Sequence, residues 1–165
     1  MEKSEIIVIT HNIRSTHNVG SIFRTCDGFG IKKLYLTGYT PYPKMHNDVR
    51  LPHISEKLTQ QISKTALGAE KTVHFSYQED IQVIIKTLRD EGYSILGLEQ
   101  NEKSILLPNY RPTDKVALIL GEEVSGITDD IMKQCDELLE IPMQGKKESF
   151  NVSVAAGIAL YALST

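Results

Sequence analysis

Residues 139–165, LEIPMQGKKESFNVSVAAGIALYALST, restrict the possible folds more than any other stretch. They pass from an apolar strand ending at Ile141, through Pro142 and a polar loop around Gly145, into a segment that is apolar on almost every side. Val152, Val154, Ala155, Ala156, Ile158, Ala159, Leu160, Tyr161, Ala162 and Leu163 leave no polar stripe, and a helix without one has to be covered on two sides. The protein's own sheet supplies one cover. The other calls for a second subunit, since a monomer would leave Ile158, Leu160 and Tyr161 in an apolar surface patch.

The entry to this helix carries chemistry of its own. Ser149 and Asn151 are residue types that cap a helix by accepting bonds from free backbone N–H groups. With Ser153, and beside Lys146 and Lys147, they form a denser polar group than a cap requires, so a cap and a binding site both stand as readings of these residues.

The remainder of the chain alternates strand and helix patterns. Residues 6–10 (IIVIT) form a β-rich run, followed by the polar HNIRSTHN and a helical stripe of Val19, Ile22, Phe23 and Cys26. At ~100° per residue, His17, Gly20, Arg24 and Asp27 point away from that stripe. Strands are expected at 33–37, 71–76, 93–99, 115–121 and 137–141, and helices at 55–67, 79–91 and 128–135. Pro41, Pro43 and Pro52 exclude regular structure from residues 38–53, and a loop of that length is functional or mobile. The run KVALILG has the continuous apolar character of a strand buried on both faces. The alternation indicates an α/β fold with a mainly parallel sheet and helices on both faces.

Composition excludes several functions. The chain has 165 residues, 41% of them hydrophobic and 24% charged, as expected for a single globular domain. No apolar run is long enough to span a bilayer, and MEKSEIIVIT lacks the features of a secretory signal, so a cytoplasmic protein is expected. Cys26 and Cys135 are far apart and outside any ligand spacing, and the five histidines form no HExxH-like pair, so neither a disulfide nor a metal site is expected. Cys26 falls on the apolar helix face and is expected to be buried and inert. A net charge of −3 argues against binding nucleic acid by bulk positive charge, although Lys32, Lys33, Lys44, Arg50, Lys146 and Lys147 are candidates for a local basic rim.

Loops after the C-terminal ends of parallel strands are where such sheets bind ligands. The three after Thr10, Leu120 and Ile141 are unusually polar. No GxGxxG follows the first strand, and GEEVSG has the glycine spacing of a phosphate loop without its lysine and with two acids, which suits a cationic or neutral ligand better than a polyphosphate.

Taken together the three loops resemble the motifs of the SpoU (TrmH) branch of the SPOUT RNA 2′-O-methyltransferases. The first is Asn12-Ile13-Arg14-Ser15, Asn18-Val19-Gly20 and Arg24-Thr25; the second is residues 120–127, LGEEVSGI; the third is Ile141-Pro142-Met143-Gln144-Gly145 followed by Ser149-Phe150-Asn151-Val152-Ser153-Val154-Ala155. Phe150 departs from the leucine common in relatives, but keeps the position apolar. The resemblance covers nearly the whole chain.

It implies S-adenosylmethionine as methyl donor, a C-terminal trefoil knot and a homodimer. Knots are otherwise essentially absent from proteins. It also implies that Leu98, Gly121, Ile141, Met143, Ser149 and Phe150 contact the cofactor. Arg24 would be delivered from the other subunit. Because a guanidinium stays protonated, its expected role is to bind a phosphate and stabilise the developing alkoxide rather than to act as base. Asn18, Ser149 and Asn151 would orient ribose and cofactor, and Glu123 would hold the second loop or an arginine; a plain loop-capping carboxylate is the other reading of Glu123. The RNA would be tRNA in preference to rRNA, recognised by the dimer surface and the 38–53 loop, with no separate RNA-binding domain. The alternative is a non-catalytic RNA-binding or assembly dimer with the same fold.

Overall fold

The computed structural model describes residues 3–165. Seven strands form one sheet in the order β3-β2-β1-β6-β4-β7-β5, with every neighbouring pair parallel. They are β1 (Glu5–His11), β2 (Lys33–Thr37), β3 (Phe75–Gln78), β4 (Ser94–Leu98), β5 (Ile105–Leu106), β6 (Lys115–Leu120) and β7 (Glu137–Glu140). The helices are α1 (Thr16–Phe29), α2 (Pro52–Ala66), α3 (Ala69–Thr72), α4 (Ile81–Asp90), α5 (Asp129–Met132) and α6 (Val152–Ser164).

Burial explains the architecture. β1 and β6 lie side by side at the centre, with Val8 opposite Leu118 and Ile9 opposite Ile119. Alternate side chains leave opposite faces of a strand, so both faces of this pair are apolar and both are covered. One face packs with α1 and α6 in a cluster containing Val8, Phe23, Leu118 and Leu160. The other holds Ile9, Ile119 and the α4 residues Ile84, Ile85 and Leu88.

Several expected boundaries move, each for a local reason. Pro52 starts α2 instead of excluding it, because the first helical position needs no N–H. Residues 71–76 divide between the end of α3 and the start of β3, with Val73 as the helix cap. The connection after β4 contains the short strand β5, which adds to the sheet beyond β7. Gly20, expected on the outward side of α1, is buried against α2: a Cβ there would lie 2.1 Å from Thr65 Oγ1 and 2.3 Å from the Ile62 carbonyl oxygen.

In α6, Ala156, Ala159, Leu160 and Leu163 are buried within the chain, so Leu160 does not belong to the expected surface patch. The opposite face does project outward, with Val154 50% and Tyr161 63% exposed. The Cys26 thiol is fully buried, and burial pushes its pKa up to about 12.

Candidate active site

Because β1, β4, β6 and β7 are parallel neighbours, the loops at their C-terminal ends meet at one edge. There they enclose a cavity of about 170 Å³. All six residues expected at the cofactor line it: Leu98 from the end of β4, Gly121 after β6, and Ile141, Met143, Ser149 and Phe150 between β7 and α6.

The wall between this cavity and β1 is polar. Glu123 Oε1 accepts from the backbone N–H of Ser15 at 3.1 Å and from Asn18 Nδ2 at 3.2 Å, while Oε2 accepts from the Arg14 N–H at 3.2 Å. Asn151 Nδ2 in turn donates to Asn18 Oδ1 at 3.2 Å. One hydrogen-bonded path therefore joins the third motif to the first and the first to the second. Burial raises the pKa of Glu123, but the Ser15 and Arg14 N–H groups and the Asn18 amide outweigh it and hold the carboxyl below its ordinary value. Glu123 thus fastens the first loop through its backbone, rather than its own loop or an arginine side chain. The arginine goes to its neighbour: Arg14 Nη2 lies 3.3 Å from Glu122 Oε1.

The two readings of Asn151 prove compatible. Its Oδ1 caps α6 by accepting from Ser153 N–H at 2.9 Å, which leaves its amide free to donate to Asn18. Ser149 is exposed at the cavity and is not the cap residue. Ser15, not singled out as a cap beforehand, caps α1 by accepting from Asn18 N–H at 3.1 Å.

Gly121 is required by its own loop. A Cβ there would lie 2.5 Å from the Gly126 carbonyl carbon and 2.7 Å from the Ile127 nitrogen. Gly126, at φ 68°, is likewise closed in by Glu99, whose Oε2 accepts from Ile127 N–H at 2.9 Å. Glu99 was missed from the sequence. Its signal was a carboxylate directly after the apolar strand SILGL.

Among the described residues, the lining of this cavity includes four glutamates, Glu99, Glu122, Glu123 and Glu140, and no lysine or arginine. Leu98, Ile141 and Phe150 contribute apolar surface. Such a lining suits a ligand that combines a flat apolar part with positive charge, and opposes a polyphosphate.

Arg24 is not brought into this group. It is exposed on α1 and lines neither this cavity nor the second one described below. Of the candidates for a basic rim, Lys32 pairs with Glu5 at 2.9 Å at the far end of the sheet, Lys44 with Glu56 at 3.7 Å and Arg50 with Asp48 at 2.6 Å, while Lys146 and Lys147 are exposed in the loop between the lining residues Met143 and Ser149.

Residues 5–161 match the SpoU rRNA Methylase family. The chain is 30% identical over 159 residues to the tRNA (guanosine(18)-2'-O)-methyltransferase of Aquifex aeolicus, a match covering 96% of this chain and 68% of that one. It is 29% identical over 160 residues to the 23S rRNA (guanosine-2'-O-)-methyltransferase RlmB of Coxiella burnetii, covering 97% of this chain and 58% of that one. The AdoMet-bound rRNA methyltransferase of Sinorhizobium meliloti shares the fold with a TM-score of 0.79 at 21% identity, covering 98% of this chain and 56% of that one. The chain thus spans between 56% and 68% of the length of these three proteins.

Proposed function

The chain belongs to the SpoU rRNA methylase family, whose cofactor is S-adenosylmethionine, and we propose that it methylates a ribose 2′-hydroxyl of RNA, tRNA in preference to rRNA. One observation carries the reading: Asn18, Glu123 and Asn151, from three separate motifs, form one hydrogen-bonded path beside an acid-lined cavity. The preference for tRNA draws on the tRNA-modifying relative of Aquifex aeolicus, which is 30% identical and matched over 68% of its own length, against 29% and 58% for the rRNA-modifying one.

The residues present fit the cofactor. Leu98, Ile141 and Phe150 offer apolar surface to an adenine ring, and the four carboxylates favour a sulfonium and an ammonium group. When bound, the cofactor supplies an electrophilic methyl group. The chain's own residues then have to align a 2′-hydroxyl and stabilise its developing negative charge.

Ser149 lines the cavity and Asn151 caps α6 two residues on; both are assigned to orienting the ribose. Asn18 is fixed in orientation because both ends of its amide are engaged. Glu123 acts as a positioning residue: its oxygens already accept three N–H bonds and its proton affinity is lowered, which makes it a poor base.

Arg24 supplies the positive charge for the alkoxide and adjacent phosphate, from a second copy of the chain. Support for this comes from α1 and α6 packing together, with Thr25 Cγ2 3.9 Å from where a Cβ on Gly157 would sit. A dimer formed over the outward face of α6, at Val154 and Tyr161, carries α1 and its exposed Arg24 toward the neighbouring cavity. The C-terminal segment is read as the family's knot, and the protein as a cytoplasmic homodimer that needs no metal.

The test is methyl transfer from labelled S-adenosylmethionine to total tRNA and total rRNA lacking the modification, with the product located by nuclease digestion. Arg24→Ala is expected to keep the fold and cofactor affinity while lowering transfer at least about 10²-fold, and Arg24→Lys to recover it only in part. Transfer to a base would overturn the reaction type. Cofactor binding without transfer to any RNA would favour the non-catalytic reading.

A further inference from the structure

A second cavity lies on the other side of the Glu123 wall. It is an open groove of about 610 Å³ between the first motif, residues 39–50 and α2. Its lining includes Arg14, His17, Arg50, Gln61 and three tyrosines, and, among the described residues, no aspartate or glutamate. Ser15 lines this groove while its backbone N–H donates to Glu123 Oε1, an atom of a residue lining the first cavity. Two neighbouring carboxylates, Glu122 and Glu123, stand between them, since Arg14 of the groove also pairs with Glu122 at 3.3 Å.

The far wall of the groove is built rigidly. Arg50 and Asp48 form an ion pair with side chains only 16% and 3% exposed, and Arg50 donates further bonds to the carbonyls of Tyr42 at 3.0 Å and Pro43 at 3.1 Å. The Arg50 guanidinium holds the Asp48 carboxyl well below the usual carboxylate range. Arg50 also lies 3.6 Å from the centre of the Tyr42 ring, while Tyr77 stacks on Tyr42 with centroids 4.0 Å apart. Two groups this close to one ring must occupy opposite faces, so Tyr42 has none left for a ligand. Arg50 is spent on the wall.

Tyr39 and Arg14 are placed differently. Tyr39 is 54% exposed, yet its backbone is fastened: its N–H donates to Asn12 Oδ1 at 3.0 Å, and the next residue, Thr40, accepts from Ile13 N–H at 3.1 Å. The Arg14 side chain is 62% exposed, and its partner Glu122 is 22% exposed. Because the guanidinium end of this pair stands in solvent, it can exchange the carboxylate for a phosphate, which it binds through a bidentate fork. Gln61, from α2, offers both a donor and an acceptor to a base edge.

We propose that this groove binds one nucleotide of the substrate RNA next to the methylated one, with its phosphate on Arg14 and its base stacked on Tyr39. This deepens the RNA-methyltransferase reading and rests on it for the identity of the polymer. The groove would take a neighbouring nucleotide because the acid-lined cavity repels phosphate, so the strand has to leave the reacting ribose on the cation-bearing side of the Glu123 wall.

Affinity of the full chain for labelled total tRNA, measured without cofactor across a salt series, tests the groove independently of the chemistry. Tyr39→Ala is expected to weaken binding, and to raise KM for RNA, about 10- to 100-fold, as the loss of one base stack does. Tyr39→Phe should keep near wild-type affinity because it keeps the ring. Arg14→Ala should lower the salt slope of log affinity by about one, while leaving S-adenosylmethionine affinity in place. Ultraviolet crosslinking of 4-thiouridine-containing tRNA should label the peptide carrying Tyr39. Wild-type affinity and salt slope in both alanine variants, or crosslinks confined to other peptides, would overturn the groove even if methyl transfer is found. RNA binding that depends on Tyr39 and Arg14 without transfer would keep the groove and remove the enzyme.

Discussion

The cavity beneath α6 and the groove beside residues 39–50 share a wall formed by Glu122 and Glu123, yet they are opposite in charge. The first has four glutamates and no lysine or arginine among its lining residues; the second has two arginines and a histidine and no acid. A chain with net charge −3 has therefore sorted its charges locally, and total charge is a poor guide to what either surface binds. Glu123 makes the sorting possible because all its bonds to the first motif are to N–H donors, two of them backbone. The acid is satisfied without drawing a cation out of the groove.

The largest effect that would break this comparison is expected from Gly121→Val. The added side chain collides with the backbone of Gly126 and Ile127, so the loop of residues 122–126, which carries two of the first cavity's acids, cannot close. Calorimetry should find no S-adenosylmethionine binding, while tRNA affinity should fall only as far as it does in Glu123→Ala, because the same loop carries Glu123. Unchanged tRNA affinity would show that the groove does not rely on the shared wall.

Glu123→Ala attacks the shared wall and should affect both sides less severely. It frees the N–H groups of Arg14 and Ser15 and the Asn18 amide, for a stability loss on the order of 2 kcal/mol in chemical denaturation. KM for RNA should rise and kcat fall together, because the loop carrying Arg14 and Asn18 loses its anchor. An unchanged kcat would mean that Asn18 needs no support.

The smallest effect is in acid. The folded-state pKa of Glu123 is lowered, so its contribution to stability is fully present above the unfolded value of about 4.3 and is lost as pH falls through the lower folded value. Thermal denaturation between neutral pH and pH 3 should show a flatter acid limb for Glu123→Gln than for wild type. Asp48 and Glu70, also lowered, keep part of the slope in both proteins. Parallel limbs would mean that the wall does not rely on the charge.

The strand ends could be read in advance from their apolar period, and the family resemblance then named Leu98, Gly121 and Ile141 on them; all three line one cavity. Asn18 and Asn151 could be named, but not their direct bond, which spans 133 residues of chain. Glu99 escaped notice because a carboxylate in a loop looks alike whether it caps a turn or lines a cavity, whereas Glu122 was legible as one of the two acids of GEEVSG. Tyr39 was covered only as part of the 38–53 loop expected to meet RNA, with no residue of it singled out.

Local pattern was sufficient for what depends on local spacing. The apolar period separates strands from helices, the polar segments after Thr10, Leu120 and Ile141 stand out, and α6 lacks a polar stripe, as Val154 and Tyr161 on its outward face bear out. Tertiary structure alone decided which of those segments meet. The order β1-β6-β4-β7 puts four loops at one edge, and it pairs Arg14 of the first with Glu122 of another, far along the chain. The reason is physical: periodicity is set by the geometry of a few consecutive residues, whereas strand order and ion pairing are settled by burial and Coulomb terms between residues far apart in the chain, which no local spacing encodes.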